Sequence, residues 1–300
     1  LYARCRRPEE EFFACWSEQG SLRQRWTASR GELSSALGVV AEGALVSRGR
    51  ELLVVDAADE VVQRWSLPRP LGMGALALSP SQERIALVQE DGQVLVLNRR
   101  EKTPLRVAGA TGRRLLAKAC FLAEDALLVA AGRSAVRLEG RVQSTLRLLR
   151  SVEGAWRQVE QLHFLGSPKA LVCSSDGSWA ALTSSARLVY LYRAGQALRA
   201  LAGPAEQDRE RLLRADLKLA HGLAGAGAAF TRDGERLYTS AVEAEAPARG
   251  GELALWDVSS GEALRHLRVR SAPAQLALSE DGRWLYAVTM QATLEIWAAE

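Results

Sequence analysis

Three histidines, His163, His221 and His266, are the only imidazoles in this chain of 300 residues. A histidine-based metal centre or general base would have to draw on them. They fall in separate, non-equivalent stretches: beside Phe164, within a helix-prone segment and beside Leu267. They read as packing or surface residues. The carboxylates offer little more. Glu9, Glu10 and Glu11 form an acidic run, and Asp56, Asp59 and Glu60 crowd one turn. Glycosidic acid–base chemistry needs two carboxylates fixed across a substrate, and neither group has that spacing. HExxH, a P-loop, a dinucleotide fingerprint and the GxSxG elbow are all missing. The chain therefore reads as a non-enzyme, with no catalytic set, cofactor or metal site.

Cys5, Cys15, Cys120 and Cys173 form no CxxC pair. Cys120 and Cys173 sit in the apolar runs KACFL and ALVCSS and read as reduced core thiols. A single long-range disulfide is the alternative, because sequence spacing does not report spatial distance.

The charge is more informative in its distribution than in its total. The net charge is +4, from 39 basic and 35 acidic residues. Lysine occurs only at Lys102, Lys118, Lys169 and Lys218, so 35 of the basic residues are arginine. Between Arg99 and Arg157 there are 13 basic and 5 acidic residues, a local net of +8. Arginine pairs bidentately with carboxylate or phosphate, so Arg99, Arg100, Arg113, Arg114, Arg147 and Arg150 are candidate partner contacts. Arg209, Arg211 and Arg214 join them from a separate insertion.

These residues are positioned by a degenerate repeat. LALSEDGRWLYAVTMQATLEIW begins at Leu276, AAFTRDGERLYTSAV at Ala228, ALVCSSDGSWAALTSSARLVYLY at Ala170 and ALALSPSQERIALVQEDGQVLVLN at Ala75. Each reads as three short apolar strands separated by polar turns, a hairpin series. Asp176-Gly177, Asp233-Gly234 and Asp281-Gly282 fill the same turn, where Gly supplies a positive φ and Asp bonds nearby backbone. More compact copies begin at Val39 and Phe121, 82 residues apart, which is two units of about 41. Trp26 and Trp65 are 39 apart, and Trp256 and Trp297 are 41 apart. These indoles are expected to pack between neighbouring units.

The units run Leu37–Pro68, Met73–Val107, Ala117–Arg150, Ala170–Leu201 and Gly227–Val269. Phe12–Leu37 is an incomplete opening unit, and Pro273–Trp297 supplies three closing strands. The spacing breaks around Ser151–Pro168 and at Gly203–Gly225. A short helix is expected over 205–220 within the 203–225 insertion, and a solvated loop over 241–250.

On SPSQERIALV, SSDGSWAAL, TRDGERLY, SEDGRWLYAV and ALWDVSSGEALRHL, the chain resembles the WD40 and YVTN-type β-propellers. The resemblance covers residues 37–297 and is weak over 110–165. Trp256-Asp257 stands where a WD40 repeat ends its third strand, but the Gly-His pair and structural histidine of that family are absent from nearly every unit. The resemblance implies an all-β chain, one propeller domain over 1–300. Four-stranded antiparallel blades are expected, seven favoured over six, with the ring closed by strands from both termini. Metal-holding hydrolytic propellers use channel Glu, Asp and Asn. Only ten aspartates and the single Asn98 are available here.

A non-enzymatic protein–protein interaction scaffold, or a propeller subunit of a larger assembly, is the leading expectation. The alternatives are the structural large subunit of a periplasmic amine-dehydrogenase-like redox enzyme and a polyanion- or RNA-binding propeller. A protein partner is expected and nucleic acid is the weaker alternative. No apolar run of 18 residues predicts a membrane span. No signal peptide is visible, and the chain begins at Leu1, which suggests a removed leader or a domain cut from a longer protein. The sequence leaves the compartment unknown and slightly favours an intracellular one.

Overall fold

The computed structural model describes residues 2–6, 10–16, 22–29, 33–40, 42–56, 58, 60–69, 71–89, 93–101, 105–108, 115–133, 143–201, 224–242, 250–291 and 293–299. Among them the chain is all-β, in seven small antiparallel sheets, with no helix. The helix expected over 205–220 lies outside the described residues, as do Arg113, Arg114, Arg209, Arg211, Arg214 and His221.

The first sheet is β1 (Tyr2–Arg6), β2 (Glu10–Trp16) and β3 (Leu22–Ser29). The second holds β4 (Leu33–Val40), β5 (Gly43–Arg48), β6 (Glu51–Val55) and β7 (Val61–Ser66). The third holds β8 (Leu71–Leu78), β9 (Arg84–Gln89), β10 (Val94–Asn98) and β11 (Leu105–Ala108). The fourth is β12 (Leu115–Ala123), β13 (Ala126–Arg133), β14 (Gln143–Val152) and β15 (Ala155–Leu165). The fifth is β16 (Pro168–Cys173), β17 (Ala180–Ser184), β18 (Val189–Tyr192) and β19 (Arg199–Ala200). The sixth is β20 (Ala224–Phe230), β21 (Arg236–Val242), β22 (Gly251–Asp257) and β23 (Ala263–Val269). The last is β24 (Pro273–Leu278), β25 (Trp284–Thr289) and β26 (Leu294–Ala298). In each sheet the strands pair in chain order. The N-terminal strands β1–β3 pair among themselves, and so do β24–β26.

The break in spacing around Ser151–Pro168 is a long hairpin, in which Trp156–Leu165 falls in a strand. β14 and β15 turn at Glu153 and Gly154, both with positive φ. Positive φ at two successive residues is the twist a tight hairpin requires.

Two compact units divide the chain. One is Leu1–Ser134 with Arg147–Glu160, and the other is Ala135–Leu146 with Gln161–Glu300. In the first, β8 packs beside both β4 and β12; in the second, β20 packs beside β16 and β24. Successive sheets therefore meet through their first strands within each unit. This explains why β9 and β10 read as nearly unbroken apolar runs. Ile85, Leu87, Leu95 and Leu97 face Leu45, Leu52 and Trp65 of the second sheet. Ala86, Val88, Val94 and Val96 face the opposite way, towards Phe121, Leu127 and Trp156. A strand buried on both faces loses the polar half of its period-two pattern. Each fully buried large side chain contributes roughly 1.5–3 kcal/mol.

The sixth sheet repeats this arrangement. Leu237, Ala254 and Trp256 pack with Val189 and Leu191 of the fifth sheet. Tyr238, Leu253 and Leu255 pack with Leu285, against which Trp297 rests. Trp65, Trp256 and Trp297 thus lie between neighbouring sheets, as their spacing predicts; the Trp26 side chain lies outside the described residues. Trp65 is on a fourth strand, whereas the other two are on third strands.

Candidate functional site

The repeated turns are structural. In the turn from β16 to β17, Ser174 Oγ accepts from Trp179 N at 3.0 Å and donates to Asp176 Oδ1. Asp176 in turn accepts from Ser178 N at 3.0 Å. Thr231, Asp233 and Arg236 repeat these bonds before β21, and Ser279, Asp281 and Trp284 repeat them before β25. The glycines that follow the aspartates have φ near 70°: 69° at Gly177, 74° at Gly234 and 73° at Gly282. These three aspartates are engaged in holding their own turns.

The copy before β9 lacks both Asp and Gly. Gln82 takes the positive φ, and Ser81 Oγ accepts from Glu83 N in place of the carboxylate. Glu124, from the next sheet, accepts from Ser81 N at 2.6 Å, and its backbone carbonyl accepts from Arg84. Other turns link in the same direction. Ser175 Oγ donates to Arg232 O, and Arg232 donates to Glu280 O. One edge of each unit is therefore tied sheet to sheet by short polar contacts.

Four of the candidate arginines, Arg99, Arg100, Arg147 and Arg150, lie among the described residues. Arg99 is ion-paired with Glu42 and Arg100 with Glu83. The bond from Arg99 holds the Glu42 carboxyl below its usual range. Arg150 is exposed at the end of β14, while Arg147 is buried within that strand. Burial lowers the Arg147 pKa. The two described histidines lie in different sheets: His163 is exposed on β15, and His266 on β23 approaches Glu252 at 3.5 Å.

Cys120 on β12 and Cys173 on β16 are both disulfide-bonded. This corrects the reading of reduced core thiols. The apolar runs correctly signalled sheltered positions but carry no information on oxidation state.

The last sheet has the three strands expected of Pro273–Trp297, and its third strand is partly exposed. Thr289 N donates to Thr293 O at 2.9 Å, and Ala299 N donates to Arg283 O at 2.7 Å. With the register Leu285↔Trp297 and Ala287↔Glu295, alternation turns the backbone groups of Glu295 and Trp297 towards β25. It turns those of Leu294, Ile296 and Ala298 outward. Among the described residues β26 pairs only with β25. The third strands β6, β10, β18 and β22 are almost wholly buried, whereas β26 is half-open. Trp284 and Ile296, on the face turned away from Leu285 and Trp297, are 45 % and 42 % exposed. LEIWA has the same apolar character as the buried third strands; the signal for the difference is that Pro273–Trp297 supplies three strands, not four.

Among the described residues no group of three His, Cys, Asp or Glu side chains is placed to hold a metal ion, and no helix is long and apolar enough to cross a membrane. No protein-family model matches the chain, and no curated protein shows significant similarity to it.

Proposed function

We propose that this chain is a seven-bladed β-propeller of the WD40/YVTN type, serving as a non-enzymatic protein–protein interaction scaffold. Seven small sheets, and first-strand packing of successive sheets within each unit, support the propeller reading. Keeping the terminal triplets separate favours seven blades over six.

The observation that carries the interaction role is β26, which among the described residues pairs on one side and is partly exposed. Its outward backbone groups can be satisfied by an added strand, the mode in which main-chain bonds supply affinity and alternate side chains supply specificity. The partner is a protein with an extended segment carrying apolar residues at alternate positions, which would cover Ile296 and Trp284. The pairing of Arg99 and Arg100 with carboxylates weighs against the polyanion reading.

Comparative affinity purification tests this role. Native full-length protein and an Ile296→Lys variant are purified in parallel, and their partners are identified by mass spectrometry. Lysine on an edge strand opposes strand addition, and Ile296 lies outside the buried core. A stoichiometric partner that the variant loses is the expected result. A partner retained by the variant would remove β26 from the interface.

A second reading rests on the oxidised cysteines. Disulfides persist in oxidising compartments. That favours an extracytoplasmic setting over the intracellular one expected from sequence. It suits the role of a large subunit in a periplasmic amine-dehydrogenase-like assembly, in which a partner subunit carries the redox group.

A further inference from the structure

Two arginines stand opposite each other on the hairpin of the fourth sheet. β14 ends at Val152, β15 begins at Ala155, and Glu153 and Gly154 make the turn between them. A two-residue hairpin sets Val152 opposite Ala155, and counting back along both strands sets Arg150 opposite Arg157. Residues opposite one another in an antiparallel pair share a face, with Cβ atoms about 4.5–5.5 Å apart. Both arginines are exposed. Neither has an ion pair among the described residues, whereas Arg99 and Arg100 have carboxylate partners. Arg147 and Glu160, also opposite one another by the same count, lie on the other face of these two strands by alternation.

Two apolar side chains frame the pair. Val152 is two residues beyond Arg150 and Val159 two beyond Arg157, so both share this face. They are 48 % and 52 % exposed, and Val159 is the most exposed large apolar side chain among the described residues. Like charges directly opposite each other destabilise a sheet. Stability given up at an exposed position is what a surface shaped for binding costs its protein.

We propose that this face of the β14–β15 ribbon docks an acidic protein segment. The segment would set a carboxylate over the two guanidiniums and apolar side chains against Val152 and Val159. The guanidinium fork matches a carboxylate in geometry, and arginine is among the residues that dominate binding energy at protein interfaces. A phosphodiester backbone would engage the arginines but makes no use of the two valines, so the pattern favours a peptide over nucleic acid. This surface does not involve β26, and its failure would leave the strand-addition reading standing.

Fluorescence anisotropy of the full chain with a labelled peptide of alternating Glu and Val, at low ionic strength, tests the proposal. Binding that weakens as salt is added is expected. It should be weaker by roughly tenfold in Arg157→Glu and severalfold weaker in Val159→Ser. Arg270→Glu makes the same change in net charge at an exposed position just after β23, and should bind as wild type does. Arg157→Glu also turns opposed like charges into an opposite pair. Its Tm should therefore rise by about 1–3 °C, which separates loss of binding from loss of fold. Absence of peptide binding, or equal losses in Arg157→Glu and Arg270→Glu, would overturn the proposal. So would a labelled oligothymidylate that binds more tightly than the peptide, with both ligands indifferent to Val159→Ser, since that is the behaviour of a polyanion site.

Discussion

The indole Nε1 of Trp256 donates to Thr239 Oγ1 at 2.7 Å, wholly out of solvent, from the third strand of the sixth sheet to the second. Trp256 also fills the space towards the fifth sheet, alongside Val189, Leu191 and Leu201. One side chain thus fastens its own sheet and spaces it from the next. Thr239→Val keeps the shape and removes this acceptor. A loss of about 1–3 kcal/mol is expected for a buried donor stripped of its partner. Urea unfolding should show a lower midpoint with an unchanged m-value.

Gly227 stands where β20 packs against Leu276 of β24. A Cβ there would lie 2.9 Å from Leu276 N and 2.9 Å from Ser240 Oγ, the group that accepts from Gly227 N. Gly227→Ala therefore forces the two first strands apart. It should cost about 1–3 kcal/mol by overpacking, read as a fall in Tm.

Asp176 should make stability acid-sensitive. The hydrogen bond from Ser174, followed by those from Ser178, lowers its pKa to about 2 from 3.8. A carboxyl depressed in the folded state adds stability above its unfolded pKa. That contribution is lost as pH falls through the folded value. The window is therefore about pH 4 down to pH 2. Asp176→Asn should lose less stability than wild type across that window, measured by urea titration at each pH. Identical slopes would show that the turn bonds do not bias the proton.

Much of this was legible because it is local. The Ser/Thr-x-Asp-Gly turns close within six residues, so their spacing alone identified both their place between first and second strands and their structural role. The apolar strand runs were equally clear. Relationships made across sheets were not. The local +8 gave no sign that Arg99 meets Glu42, 57 residues earlier. Arg147 reads as a surface arginine, because Leu146, Leu148 and Leu149 around it are buried on both faces and leave no alternation to interpret. The exposure of β26 on one face depends on how the sheet is covered, which no property of LEIWA encodes.

The oxidised cysteines make a chemical prediction. In protein isolated under non-reducing conditions, Cys120 and Cys173 should resist alkylation by iodoacetamide until a reductant is added. Peptide mass spectrometry reads this directly. Full labelling of both before reduction would contradict their disulfide-bonded state and remove the support for an oxidising compartment.

Above all, β26 should behave as an unpaired edge that a partner strand completes. Amide hydrogen exchange at Leu294, Ile296 and Ala298 tests this most directly, in the isolated protein and in the complex purified with its partner. Rapid exchange in isolation and strong protection in the complex are the predicted result. Protection already present in the isolated protein, or exchange unchanged by the partner, would contradict it.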